Sequence, residues 1–367
     1  MKRRSLPGLL ALILLSGCRD PGSAVNEPPP RAVGVEGVPV LAGPAGGAGQ
    51  GATLRAIRAR GYLLCGVNQG LLGFASTDNR SRWRGFDIDF CRATAAAVLG
   101  DETAVRFVPT SSTERLTVLQ SGGADVLWRN SSATYSRDAT LDFPAVNYYD
   151  GQGFLVRRAL HLNSAGELKG ARICIQTGST NELNLTDFFR AKGLHYEPVV
   201  FDTDDKQRAA YAREQCDALT ADVSNLAAAR AALDHPEDHV ILPEVISKEP
   251  LGPVVRHGDN QWADLIRWTV NAMVLAEEFG ITSANVDSVR ATSTNPEVRR
   301  LLGVEPGYGA MMGLSDDWAY KVIKRVGNYD EVFQRNLGRN TPLKLERGLN
   351  ALWNAQSRGL LYAAPFR

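Results

Sequence analysis

The chain has 367 residues, 44% of them hydrophobic and 22% charged, with 35 Gly and 18 Pro, which is the composition of an ordinary globular protein of about two domains. Collagen, coiled coil and wholesale disorder are excluded. With 41 Lys plus Arg against 40 Asp plus Glu, no strong uniform field draws the chain to nucleic acid, and no nucleic-acid partner is expected.

Lys2, Arg3 and Arg4 precede an apolar stretch from Leu6 to Leu15, which then meets Ser16-Gly17-Cys18. A bilayer-spanning helix needs about 20 apolar residues. Residues 1–17 therefore read as an export signal rather than an anchor helix. Leu15-Ser16-Gly17-Cys18 resembles the lipobox of bacterial lipoproteins, which implies a lipidated Cys18 and attachment to a membrane through lipid alone. Residues 18–51 include Pro28-Pro29-Pro30 and Gly46-Gly47-Ala48-Gly49. They show no periodicity that could bury a face, and are expected to form a flexible tether.

From residue 53 onward, strand-like runs alternate with helical ones. Tyr62 to Val67 reads as a buried strand, and Phe86 to Val98 sets its apolar residues broadly along one helical side. Val105 to Val108 is a strand, Thr113 to Gln120 a short helix and Ala124 to Trp128 another strand. This βαβαβ order predicts a mostly parallel sheet flanked by helices.

The pattern restarts at Gly153-Phe154-Leu155-Val156. Strands follow at 171–175, 196–201, 217–220 and 240–242, with helices at 181–191, 205–213 and 223–233. After the extended Leu251 to Val255 comes a long helix, Gln261 to Phe279, stopped by Gly280. Further helical segments follow, one expected to open at Ser315 as its N-cap with Asp316 and Asp317 in the first turn. The expected organisation is two α/β lobes joined by two crossing strands. Residues 52–154 begin lobe 1, 155–251 form lobe 2, and 252–367 complete lobe 1 with a C-terminal helical extension. A cleft between two lobes is a common place for a small ligand.

Five cysteines carry no zinc spacing. Setting Cys18 aside leaves Cys65, Cys91, Cys174 and Cys216, an even number that favours disulfides in an oxidising space. Four cysteines allow three connectivities. Cys65 and Cys91 fall in one expected lobe and Cys174 and Cys216 in the other, so these pairs are chosen.

Six blocks then carry a resemblance: Leu64-Cys65-Gly66-Val67-Asn68, Gly85 to Cys91, Arg129-Asn130-Ser131, Tyr148 to Phe154, Ile246 to Pro253 and Val326-Gly327-Asn328-Tyr329. In this order they resemble the solute-binding proteins of bacterial polar amino-acid ABC importers, and among them the general L-amino-acid binders. The resemblance runs from about Thr53 to the end. It implies the two-lobed periplasmic-binding-protein fold, hinge closure around a free L-amino acid, a periplasmic location, the importer's permease subunits as partners, and a monomer.

A free amino acid offers a carboxylate and an ammonium, so its site needs a cation and an anion close together. Arg137 resembles the family's carboxylate-binding Arg, whose guanidinium fork can grip a carboxylate bidentately. Ser132 resembles a hydroxyl that shares that carboxylate. Thr180, after Gly178-Ser179 at a helix start, resembles another carboxylate ligand, though as a residue type it equally suits a plain N-cap. Asp222 resembles the ammonium acceptor. Asn130 joins this set from its motif.

Asn68 stands where binders of cationic amino acids have Asp, and Leu71 where many relatives have a stacking aromatic. A neutral Asn cannot compensate a buried ligand ammonium, so neutral or polar ligands are expected. Thr113 also lies near a position that is often aromatic.

No His-Glu-x-x-His or Gly-x-Ser-x-Gly motif appears, and neither metal nor cofactor is expected. The rival reading is a secreted enzyme on the same scaffold, similar to cyclohexadienyl dehydratase, with a cleft carboxylate such as Glu182 as its acid. A third is a receptor component that reports amino acids to a sensor.

Overall fold

The structure, a computed structural model, describes residues 51–367. The expected signal peptide 1–17, Cys18 and the tether through residue 50 lie outside the described residues. Helix α1 (Ala52–Arg60) ends on Gly61 in the left-handed conformation and is followed by β1 (Leu63–Asn68). A short hairpin, β2 (Ser76–Thr77) with β3 (Trp83–Arg84), leads into α2 (Phe86–Leu99). Gly85 starts that helix with φ at +135°, and a Cβ there would lie 2.0 Å from the Phe74 carbonyl oxygen. Only glycine permits so close an approach.

Next come β4 (Val105–Thr110), α3 (Arg115–Gln120) and β5 (Val126–Ser132), with β1 parallel to both β4 and β5. After α4 (Tyr135–Asp138), β6 (Leu141–Asp142) and β7 (Tyr148–Asp150), the chain crosses into a second sheet. This contains β8 (Gln152–Arg157), β9 (Arg172–Gln176), α5 (Asn181–Ala191), β10 (Glu197–Phe201), α6 (Asp204–Ala212), β11 (Ala218–Asp222), α7 (Val223–Ala231) and β12 (His239–Ile241). The chain returns as β13 (Glu249–Arg256) and continues into α8 (Asn260–Glu278).

The strand orders are β4-β1-β5-β13-β6, with β7 also on β13, and β10-β9-β11-β8-β12. Each sheet thus has three adjacent parallel strands and one strand that runs against them, β13 in the first and β8 in the second, while β6 and β7 on β13 and β12 on β8 run with the parallel three. The reason is geometric: a strand arriving from the other sheet runs against those already in place. This antiparallel share goes beyond what the βαβαβ periodicity implied.

The same burial logic modifies α2. Its residues are buried on nearly every side, because the helix lies between the first sheet and helices α8 and α12 (Trp318–Arg325). A one-sided apolar stripe belongs to a helix with one wet face. Around α2, Phe86, Phe90, Trp128, Tyr148 and Tyr329 form an aromatic cluster, with Phe90 stacked on Trp128 at 4.8 Å between ring centroids. Truncating such a ring costs about 3–5 kcal/mol.

The C-terminal extension supplies α9 (Val286–Thr292), α10 (Pro296–Leu301), α11 (Tyr308–Met311), α12 and α13 (Tyr329–Asn336). The helix expected to open at Ser315 starts later, with Asp317 as its N-cap. Asp316 is engaged elsewhere, accepting from the backbone N–H groups of Gly307 and Gly309 at 3.0 Å around the start of α11. Farther on, the Asn350 side chain bonds both the N–H and the carbonyl of Tyr149 at 2.7 and 3.0 Å, fastening the extension to the strand that leads into the crossing.

Disulfides join Cys65 to Cys91, tying β1 to α2, and Cys174 to Cys216 in the second sheet's lobe. No helix among the described residues is long and apolar enough to cross a membrane.

Candidate functional site

The parallel strands of both sheets end in polar residues: β1 at Asn68, β5 at Ser132, β9 at Gln176 and β11 at Asp222. The crevice outside strand carboxyl ends is where open α/β sheets hold ligands. The two crossing segments lie side by side there, with Glu249 opposite Asp150 in the β13–β7 register. The N–H of Ile246 also donates to the Gln152 carbonyl at 2.8 Å.

The lobes touch across this crevice. Asn68 of the first donates to Asn130 Oδ1 in its own lobe and to Asp204 Oδ2 in the second, both at 3.3 Å. Asn225 holds the other Asp204 oxygen at 3.0 Å. The amide of Asn68 is therefore accompanied by a carboxylate after all, contributed by the start of α6. Asn130 has its backbone in the left-handed region (φ 27°) and donates its N–H to Asp87 Oδ2 at 3.1 Å. Leu71 is buried in the first lobe's core and borders a narrow crevice shared with Asp204, Gln207 and Asn225.

Arg137 lies on α4, where Thr134 caps the helix, and donates from Nη1 to the Ser132 carbonyl at 3.0 Å. Burial lowers its pKa, and Glu249 and Asp222 are the charges that oppose this. Asp222 is buried and receives Asn181 Nδ2 at 3.0 Å. Burial first, and then the Asp150 and Glu249 carboxylates, raise it well above the ordinary carboxylate range. Asp150 is pushed up to about 6 by burial, against hydrogen bonds from Ser224 and the Gly151 N–H. One guanidinium and three carboxylates thus stand together at the crossing, an arrangement that can accept an ammonium and hold one carboxylate.

Glu249 was not singled out by sequence reasoning. It is 2% exposed, and four donors converge on it. Ser132 Oγ donates to Oε2, as does Thr180 Oγ1 at 2.8 Å. Asn184 Nδ2 and Ser247 Oγ donate to Oε1, each at 2.7 Å. Thr180 is positioned as the N-cap of α5 but makes no capping bond with its side chain. Ser132 and Thr180 thus both direct their hydroxyl donors to Glu249.

Arg115 and Arg129 were also missed as site residues. Arg129 is buried and donates to the Thr110 carbonyl at 3.1 Å and to Ser112 Oγ at 3.2 Å. Arg115 is 3% exposed, and its Nε has no hydrogen-bond partner among the described residues. Burial drives its pKa well down, and the charges around it are Arg129, Arg137, Asp204 and Asp222. A cavity of about 80 Å³ beside Arg129 is lined by Asn68, Gln176, Thr203 and Asp204. The available signal was an arginine inside a strand that otherwise reads as fully buried. Glu182 is tied into the turn before α5, accepting the Gly178 N–H at 2.8 Å. Among the described residues, no group of His, Cys, Asp and Glu could hold a metal ion.

Two α/β lobes linked by paired crossings, with a charged crevice at strand carboxyl ends, define a two-lobed binding protein. The chain belongs to the bacterial extracellular solute-binding proteins, family 3, whose model matches residues 63–282. It is 53% identical over 319 residues, 86% of this chain and 93% of the relative, to the general L-amino acid-binding periplasmic protein AapJ of Rhizobium johnstonii. It is also 53% identical over 329 residues, 89% of this chain and 97% of the relative, to the glutamate/glutamine/aspartate/asparagine-binding protein BztA of Rhodobacter capsulatus. Among solved structures, a periplasmic binding protein of Brucella ovis with glutathione bound matches with a TM-score of 0.83 and 53% identity. The match covers 86% of this chain and 99% of that one.

Proposed function

We propose that this protein captures free L-amino acids outside the cytoplasm and delivers them to an ABC importer, its two lobes closing around the ligand. The observation that carries this reading is the charge arrangement at the crossing. Arg137 of the first lobe and Asp222 of the second lie within electrostatic reach of each other, opposite charges that suit the two ends of a zwitterion. A ligand that contacts both lobes favours the closed arrangement by differential contact. The relatives from Rhizobium and Rhodobacter, both binding proteins by name, support capture over dehydration. The engagement of Glu182 in a turn is a further argument against its use as an acid.

For the ligand's side chain, the reading favours a carboxylate or carboxamide, as in the ligands named for the Rhodobacter relative. Arg115 supports this, because a buried guanidinium without a partner at Nε is costly until an anion or carbonyl reaches it. The glutathione held by the Brucella neighbour makes a γ-glutamyl peptide a second ligand to try. The proposed lobes keep the sequence boundaries 52–154, 155–251 and 252–367, with the paired crossings at about 150–152 and 246–249 as the candidate hinge. Cys18 remains the candidate lipid anchor, with residues 18–51 as tether, the permease subunits as partners and a periplasmic monomer as the working unit.

Thermal-shift screening against the common L-amino acids and glutathione tests the reading. A ligand bound only by the folded form raises Tm. Glutamate, glutamine, aspartate and asparagine are expected to give the largest shifts, reduced in Arg115→Ala. No shift with any amino acid rejects the function.

A further inference from the structure

Glu249 has no assigned role, yet its carboxylate is the point where both lobes and the returning strand meet. Ser132 comes from the end of β5, Thr180 and Asn184 from the start of α5, and Ser247 from the crossing itself. Its position is set by the sheet, since β13 pairs with β5 through Leu251 opposite Ser132 and with β7 through Glu249 opposite Asp150. All four contacts come from groups that can donate, two on each oxygen.

The consequence concerns hydroxyl direction. Ser132 and Thr180 each own one hydroxyl proton, and both protons are directed to the same Glu249 oxygen. What these hydroxyls present elsewhere is lone pairs. The surroundings agree with that polarity, because Asp150 and Asp222 both lie within electrostatic reach of Glu249. With Arg137 as the one cation beside these three carboxylates, the excess of negative charge favours an ammonium on the side of the hydroxyls away from Arg137.

We propose that Glu249 is a positioning residue for the amino-acid head group: by taking the hydroxyl protons of Ser132 and Thr180, it makes both hydroxyls acceptors for the ligand's ammonium. The proposal rests on the amino-acid reading above. In this arrangement Asp222 supplies the charge, the two hydroxyls supply further acceptors, and Arg137 receives the carboxylate. Glu249 itself need not touch the ligand.

Glu249→Gln tests this with little change in volume. The new amide keeps one oxygen, which the donor Asn184 claims, and turns its NH2 toward the hydroxyl pair. The hydroxyls then accept from the amide, and their protons face the ligand ammonium. Calorimetric titration with the amino acid giving the largest thermal shift is expected to show binding weakened about tenfold or more. In a background carrying Ser132→Ala and Thr180→Val, adding Glu249→Gln is expected to cost clearly less than in the wild-type background, since the hydroxyls it acts through are gone and only the loss of its charge near Arg137, Asp150 and Asp222 remains. Tm is recorded for every variant, so a structural loss is separated from the coupling.

Equal cost in both backgrounds overturns the proposal, as does unchanged affinity in Glu249→Gln. Tighter binding overturns it too, because it would mean that Glu249 competes with the ligand's carboxylate. If wild-type protein binds no amino acid, the function reading fails and this proposal falls with it; binding that ignores Glu249 sinks the proposal alone. If Glu249→Gln does not fold, a crystal structure of the wild-type complex decides. Ser132 Oγ and Thr180 Oγ1 should stay on Glu249 with the ammonium on their far side, and a ligand carboxylate bonded to both hydroxyls refutes the idea.

Discussion

Replacing Arg137 by Ala removes the guanidinium that faces Glu249 and Asp222 at the crossing. A bound amino acid would then place its carboxylate among three protein carboxylates without that counter-charge. A unit pair about 4 Å apart is worth about 4 kcal/mol at the effective dielectric of a partly buried site. Truncating one partner of a buried, hydrogen-bonded charge pair costs about 2–5 kcal/mol. The expected Kd is therefore weaker by about 30-fold to several thousand-fold. Arg137→Lys should fall between, because it keeps the charge and loses the bidentate fork. Isothermal titration near neutral pH reads the change, and circular dichroism with Tm checks that the variants fold. Loss of the Nη1 bond to the Ser132 carbonyl affects the folded protein alone, so it appears in Tm rather than as ligand selectivity. A Kd for Arg137→Ala within about threefold of wild type would refute the reasoning.

Three other outcomes follow from the buried charges and disulfides. Asp150 is pushed up to about 6 and Asp222 well above its ordinary range, while a ligand ammonium binds their ionised forms. Affinity should therefore fall as pH drops below about 6, and more weakly so in Asp222→Asn; a flat titration profile contradicts this. Asp87 is raised by burial from 3.8 to about 7. Because its folded-state pKa is raised, its contribution to stability is present below about pH 4 and is lost as pH rises through 7. Asp87→Asn should have a higher Tm than wild type at about pH 8, with the gap closing toward pH 4, and scanning calorimetry would expose the opposite trend. The disulfides close sequence separations of 26 and 42 residues, so each is worth about 3–4 kcal/mol in the chain-entropy account. Reductant should lower Tm by several degrees, and an unchanged Tm with four free thiols would count against that contribution.

The alternation of β-rich runs with helical stretches was legible in the chain because strand and helix periods are local properties. It located β1, α2, β9, α5 and α8 to within a few residues, and it implied two units. Local pattern was less informative where burial came from several sides. Helix α2 lost its one-sided stripe to α8 and α12, and Ser315 lost its capping place because Asp316 was drawn to Gly307 and Gly309. Arg137 and Asp222 were nominated through motif resemblance, since isolated residues of those types equally suit ion pairs and helix caps.

The sequence alone therefore determined composition class, element order, the charged residue types available for a zwitterion and, through resemblance, the family. Which groups meet was decided only by tertiary structure. Glu249 reaches Ser132 across 117 positions and Thr180 across 69, and Asn68 reaches Asp204 across 136. Periodicity cannot encode such meetings, because it describes which face a residue occupies and not what the folded chain carries to that face. The polarity of two hydroxyls, donor or acceptor, depends on one carboxylate that arrives when the chain recrosses between the sheets.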